Sequence, residues 1–360
     1  MNSVRAAVLT LLALLSVAAF VGVRASRGRL HLSKPQPSVP SINPEAQKLY
    51  VQGRYFLARG GTTLEKQMEA VACFEDAIEK DPNFALPYAG LATAFNGMAH
   101  SEVMNYVEAH SKAKLAAKKA LEIDPNLAEA HAGLADALVE LDWNWPEAGI
   151  EFRRAVALTP NSPFVHFDYA RYLAKLARFP EAVAEAQKGL EINPTSLVAY
   201  HMVAYCYYGA RQYDKGLQEI GKAAELNLIS PNSYIHWDIA MLYLQRNRLQ
   251  KAIQEFQLVG NLPTVLGFLG NAYARAGQRK EALQSISQLK QFVAKDGIGS
   301  YEIAVIYTGL GCKDDAFAWL EKSYRLHDKN ITYLLFEPAL DPLRSDRRFA
   351  DLLRRVGLAH

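Results

Sequence analysis

Ala113-Lys114-Leu115-Ala116-Ala117-Lys118-Lys119-Ala120-Leu121-Glu122-Ile123-Asp124-Pro125-Asn126 is the stretch on which the fold turns. Its closing Asp-Pro-Asn has counterparts at Asp81-Pro82-Asn83, Thr159-Pro160-Asn161 and Asn193-Pro194-Thr195, so the prolines recur at intervals of 43, 35 and 34 residues. Twelve residues before each proline stands a small residue (Ala70, Ala113, Ala148, Ala182), and seven later comes another (Ala77, Ala120, Ala155, Gly189). Seven residues is two helical turns, so both small residues face one neighbouring helix at close range. A period near 34 predicts a stack of helix pairs, each unit touching only its neighbours. The series continues without the proline at Gly216, Ala252, Ala282 and Ala316.

The first helix of each unit sets a small residue among large ones, as in Gly90-Leu91-Ala92, Gly133-Leu134-Ala135, Tyr169-Ala170-Arg171-Tyr172 and Leu269-Gly270-Asn271-Ala272-Tyr273. This pattern resembles the tetratricopeptide repeat, and about eight copies are counted. The resemblance implies an all-α chain, a right-handed α-α superhelix. The expected organisation is an anchor or signal over residues 1–24, a linker over 25–43, the array over 44–328 and a capping segment over 329–360.

Residues 6–23 are uncharged and apolar, flanked by Arg5 and Arg24, and about 27 Å long as a helix. Two readings stand: a single transmembrane helix, or a signal peptide cut before Ser26. Arg24, Arg27, Arg29 and Lys34 would hold the array on the cytoplasmic side by the positive-inside rule. Pro35, Pro37, Pro40 and Pro44 then mark an extended spacer.

A closer resemblance rests on Asn43-Pro44-Glu45-Ala46 with Gly53-Arg54-Tyr55-Phe56, on Leu141-Asp142-Trp143-Asn144-Trp145, and on Asp341-Pro342-Leu343-Arg344-Ser345-Asp346-Arg347-Arg348-Phe349. These segments resemble the repeat region of bacterial membrane-spanning regulators, in which a winged-helix or kinase domain precedes one span and a tetratricopeptide array. That resemblance implies an extracytoplasmic array, against the flanking charges. Only five residues precede the apolar run, so the effector is expected on a separate chain or upstream.

No glycine-rich phosphate loop, nucleophile elbow or His-Glu-x-x-His motif is present, so neither catalysis, cofactor nor metal is expected. His131, His166, His201 and His236 recur every 35 residues, too far apart to share a metal. Charges are interspersed (40 basic, 37 acidic, net +3), which argues against direct nucleic-acid binding. Cys73, Cys206 and Cys312 fall in different repeats and are read as free thiols.

Binding is the expected work. Helical geometry places Phe164, Phe167, Arg171 and Lys175 on one face of a first helix, His201, Tyr205 and Tyr208 on the same face of the next, and Tyr234, Trp237 and Met241 on that of a third; the tetratricopeptide resemblance implies that this face lines a concave groove. An aromatic floor with two cations is a fitting seat for a protein or peptide partner; the alternative reading is that tight curvature or the carboxy-terminal tail covers these rings. A chaperone-type carboxylate clamp is disfavoured, since its places hold Phe167, His201 and Trp237. After the last repeat, an arginine-rich helix capped by Ser345 is expected to be a solvated cap.

Overall fold

The structure is a computed structural model that describes residues 42–359 apart from 60–63, 101–103 and 231–232. The apolar run at 6–23 and the linker that follows lie outside the described residues. Among the described residues no helix is long and apolar enough to cross a membrane.

Among the described residues, sixteen helices stack as eight antiparallel pairs. They are α1 (Pro44–Arg59) with α2 (Leu64–Lys80), α3 (Ala85–His100) with α4 (Tyr106–Ile123), α5 (Ala128–Glu140) with α6 (Trp145–Leu158), and α7 (Pro163–Lys175) with α8 (Phe179–Ile192). Then follow α9 (Leu197–Gly209) with α10 (Tyr213–Glu225), α11 (Ile235–Gln245) with α12 (Leu249–Val259), α13 (Pro263–Arg275) with α14 (Arg279–Asp296), and α15 (Ser300–Gly309) with α16 (Lys313–Arg325). A last helix, α17 (Arg347–Arg355), comes after two 3-10 turns. Among the described residues there is no strand.

The small residues do what their size allows. Ala70, Ala113, Ala148, Ala182, Ala252, Ala282 and Ala316 are fully buried where paired helices cross. Asn43 opens the array: its Oδ1 accepts from the backbone N of Glu45 at 2.9 Å, satisfying a helix-end donor.

From the fourth pair onward, each first helix ends in the same three-residue turn. Its middle residue is left-handed at Ala177, Arg211, Asn247, Gly277 and Gly311. The next N–H closes back on the last helical turn, as in Gln212 N to Tyr207 O at 2.9 Å and Gln278 N to Tyr273 O at 2.9 Å. Glycine takes that conformation freely; alanine and arginine take it at a cost.

The recurring histidines are braces. His166 bonds Glu185 on the second helix at 2.6 Å through Nδ1, and the Pro160 carbonyl at 2.8 Å through Nε2. His131 repeats this with Glu151 and the Pro125 carbonyl, and His236 reaches Glu255 at 2.7 Å. Among the described residues no three His, Cys, Asp or Glu converge for a metal.

The expected solvated cap is only half of what the last residues do. The arginines of α17 do face α16, with Arg348 on Asp314 at 2.9 Å and Arg355 on Glu321 at 2.5 Å. Asp346 rather than Ser345 caps the helix, accepting from Arg348 N at 3.0 Å. Yet Ile331, Leu334, Phe336, Leu340 and Leu343 are buried, because the chain between α16 and α17 turns into the groove.

Candidate functional site

The groove is lined by the first helices of the pairs, and its middle is filled by residues 327–343 of the same chain. His327 is left-handed and lies on the Trp143 indole. Asp328 then caps a 3-10 turn, Lys329–Tyr333, and accepts from Tyr301 N at 3.2 Å. Glu337 caps a second, Pro338–Leu343, through a 2.8 Å bond from Ala339 N.

The segment meets partners on several pairs. Tyr333 lies under Lys175 Nζ, 4.3 Å from the ring centroid. Phe336 stacks on Tyr205 at 4.4 Å and leans on Tyr208 at 5.7 Å. A Cβ on Gly209 would fall 2.4 Å from the Phe336 ring, so the missing side chain is what admits the phenylalanine. Arg211 donates to the Phe336 carbonyl at 3.1 Å and to Asp341 at 2.7 Å. At the equivalent turn the seventh and eighth pairs carry glycine, so Arg211 accepts an unfavourable backbone angle and thereby reaches the segment. At the far end the Trp145 indole donates to the Val356 carbonyl at 2.8 Å, joining the third pair to the end of α17.

Under the segment lies a buried ion pair between Lys175 and Glu140, both almost wholly enclosed. Glu140 also accepts from Tyr106 at 2.6 Å and from Thr332 at 3.4 Å. Burial works against its charge, but the adjacent Lys175 prevails and holds the carboxyl below its ordinary value. Burial likewise opposes ionised Asp136, yet His100 at 3.0 Å and Arg171 at 3.3 Å hold it well below the usual range.

Beside Phe336 remains a cavity of about 210 Å³. Among the described residues, seven aromatic side chains line it, together with Asp238 and Glu337. Both Glu337 hydrogen bonds converge on Oε1, from Ala339 N and from the Tyr208 hydroxyl at 2.5 Å. Burial outweighs them and pushes the carboxyl up to about 7. The hydroxyl of Tyr301, which also lines the cavity, is buried with no hydrogen-bond partner among the described residues. A second cavity, about 280 Å³ and more polar, adjoins it between Arg171, His201 and Lys329.

The residues read from sequence as an open floor are therefore divided among three roles. Phe164 and Tyr234 are exposed along one lip of the groove. Phe167 belongs to the core: a Cβ on Gly189 of its partner helix would lie 2.2 Å from its ring. Trp237 packs edge-on against Phe256 and Phe268, at 5.6 and 5.2 Å, and Met241 is buried. Tyr205 and Tyr208 are roofed by Phe336. The two expected cations are neutralised, Lys175 by Glu140 and Arg171 by Asp168 at 2.9 Å and Asp136. His201 meets Asp238 at 2.7 Å. Trp143, Trp145, Arg211, Tyr301, Phe336 and Glu337 were not legible as groove residues. The one sequence signal was the run Ile331-Thr332-Tyr333-Leu334-Leu335-Phe336, too apolar for a solvated cap.

Comparison with known proteins accords with this geometry. The model of the tetratricopeptide repeat matches residues 204–264. Anaphase-promoting complex subunit 3 of Schizosaccharomyces pombe is 22% identical over 297 residues, covering 81% of this chain. The chain spans 42% of the length of that relative. Among solved structures, the human IFIT1 dimer with PPP-AAAA superposes with a TM-score of 0.55 at 18% identity, covering 78% of this chain and 73% of that one. A tetratricopeptide repeat protein from Parabacteroides merdae gives 0.50 at 16%, covering 76% and 100%. Both likenesses are of fold. The chain has the tetratricopeptide-repeat architecture, an all-α solenoid.

Proposed function

We propose that this chain is a non-enzymatic scaffold whose groove holds a protein segment, and that its own residues 327–343 occupy that seat until a partner competes for it. The observation that carries the reading is the manner in which the segment is held. An aromatic ring is stacked on Tyr205, a main-chain carbonyl is taken by Arg211, and a carboxyl is taken by Tyr208. These are the contacts by which a groove recognises a peptide: a ring for affinity and main-chain bonds for register.

A labelled peptide of residues 331–343 tests this. The intact chain should bind it weakly, because the seat is filled in cis. Phe336→Ala should loosen the internal segment and tighten peptide binding by about tenfold or more, and Tyr208→Ala added to that variant should abolish the gain. Equal binding by the intact chain and Phe336→Ala would refute the reading.

Membrane attachment is part of the proposal, resting on the apolar run at 6–23; retention of the chain on membranes through alkaline washing tests it. One observation favours the second reading, a sensor module of a signalling or transcriptional system with its effector elsewhere. A groove occupied by the chain's own end is what a sensor that answers by releasing that end requires.

A further inference from the structure

We propose that the cavity beside Phe336 is a binding site for a small alkylammonium group, with Glu337 supplying negative charge and the surrounding rings supplying cation–π contact. The shared chemistry is a cation on an apolar body, either a free amine or a lysine side chain of a partner.

Three observations converge on it. The first is the wall. Trp237, Tyr205, Tyr333 and Phe336 enclose the space from both the array and the returning segment, and no lysine or arginine is among the described lining residues. Arg211 and Arg344, the cations nearest Glu337, are spent on Asp341 and on main-chain carbonyls. Lys175 already lies over Tyr333 and His201 already bonds Asp238, so Trp237 and Glu337 are what the wall leaves for a weakly hydrated positive group.

The second is the unpartnered polar atom. The Tyr301 hydroxyl is enclosed without an acceptor, a state natural interiors rarely tolerate. A ligand bearing an acceptor such as a hydroxyl or carbonyl near its cation would satisfy it. Glu337 adds to this, since both of its bonds fall on Oε1, and burial leaves its carboxyl near neutral pH; a bound cation is what would favour its ionised form.

The third is size. A dry cavity of about 150 Å³ accepts a benzene-sized molecule, and this one measures about 210 Å³. That suits a trimethylammonium or aminoalkyl head and excludes a whole peptide. The inference rests on the docked segment, not on capture of a partner in trans, so it and the scaffold reading fail separately.

The test is titration of the intact chain, followed by calorimetry and by tryptophan fluorescence, with Trp237→Phe identifying the part of the signal that comes from the cavity. The probes are choline, its uncharged isostere 3,3-dimethylbutan-1-ol, and a short peptide with one central lysine. Choline or the peptide should saturate, the isostere should bind at least about tenfold more weakly, and the tighter of the two cations identifies the source. Glu337→Gln keeps the shape and the bonds to Tyr208 and Ala339 and should weaken the cation about tenfold. Tyr301→Phe, which touches no contact of the docked segment, should weaken choline several-fold while sparing a hydroxyl-free alkylammonium. Equal affinity for choline and the isostere, an unchanged Glu337→Gln, or no saturation by either cation would each overturn the proposal.

Discussion

Trp143 and His327 lie face to face, ring centroids 4.2 Å apart and planes within 2°, and both residues have left-handed backbones, at φ 51° and 52°. Each stands just past the end of a helix, one in the third pair and one after the eighth. Two unfavourable backbone angles, costing about 1–2 kcal/mol each, are thus held by one stacked contact. Trp143→Ala should lower global stability by roughly 3 kcal/mol and open the chain near Asp328 to protease. Cleavage unchanged from the parent chain would show that the stack does not hold the segment.

Two glycines of similar helical setting should respond with opposite sign. At Gly189 a Cβ would meet Phe167 at 2.2 Å, so Gly189→Ala should cost about 1–3 kcal/mol. At Gly221 in α10 nothing lies within 4 Å, so Gly221→Ala should stabilise by roughly 0.5–1 kcal/mol through helix propensity. Thermal melts of the pair decide it.

The buried pair under the segment predicts a strong asymmetry. Lys175→Met leaves the Glu140 charge enclosed and should cost about 3–5 kcal/mol, whereas adding Glu140→Gln should recover most of that loss. Burial raises the Glu140 carboxyl and Lys175 more than reverses this, so its folded value is depressed below 4.5. Its contribution is therefore full above 4.5 and lost as pH falls through the folded value. The double variant should lack that acid limb in denaturation curves.

Glu337 has the reverse sign. Burial lifts its carboxyl from 4.5 to about 7, so the docked state holds a proton that the free chain gives up. Docking is then strongest below 4.5 and weakens as pH rises toward 7, by about 3 kcal/mol over the window. Glu337→Gln should flatten that slope. Protease sensitivity of residues 327–343, followed from pH 4 to 8, reads it directly; a slope that survives the substitution assigns it to another group.

The stack of pairs was legible because small residues must recur wherever paired helices cross, and Ala113, Ala148 and Ala182 do so visibly in the chain. Helical spacing also placed Tyr205, Tyr208 and Trp237 on the groove face. It left open whether a partner or the carboxy-terminal tail covers that face, and could not choose between them. Periodicity reports contacts between neighbouring repeats, whereas Tyr208 meets Glu337 across 129 residues and Trp145 meets Val356 across 211. Pro338 and Pro342 break the helix there, but a breaker says nothing of where the broken chain goes. Phe167 was misplaced for a local reason: Gly189 leaves room for its ring within its own pair.

The bond from Trp145 to Val356 sets an order on the making of the protein. A chain of stacked pairs can settle as it emerges from the ribosome, each pair finding its neighbour already present. Here the third pair waits for a carbonyl that is synthesised 211 residues later, an interval of roughly 10–40 s at about 5–20 residues per second. Tyr208 in turn precedes Glu337 by 129 residues, so the nascent chain passes through a stage in which its groove is open and its own plug does not yet exist.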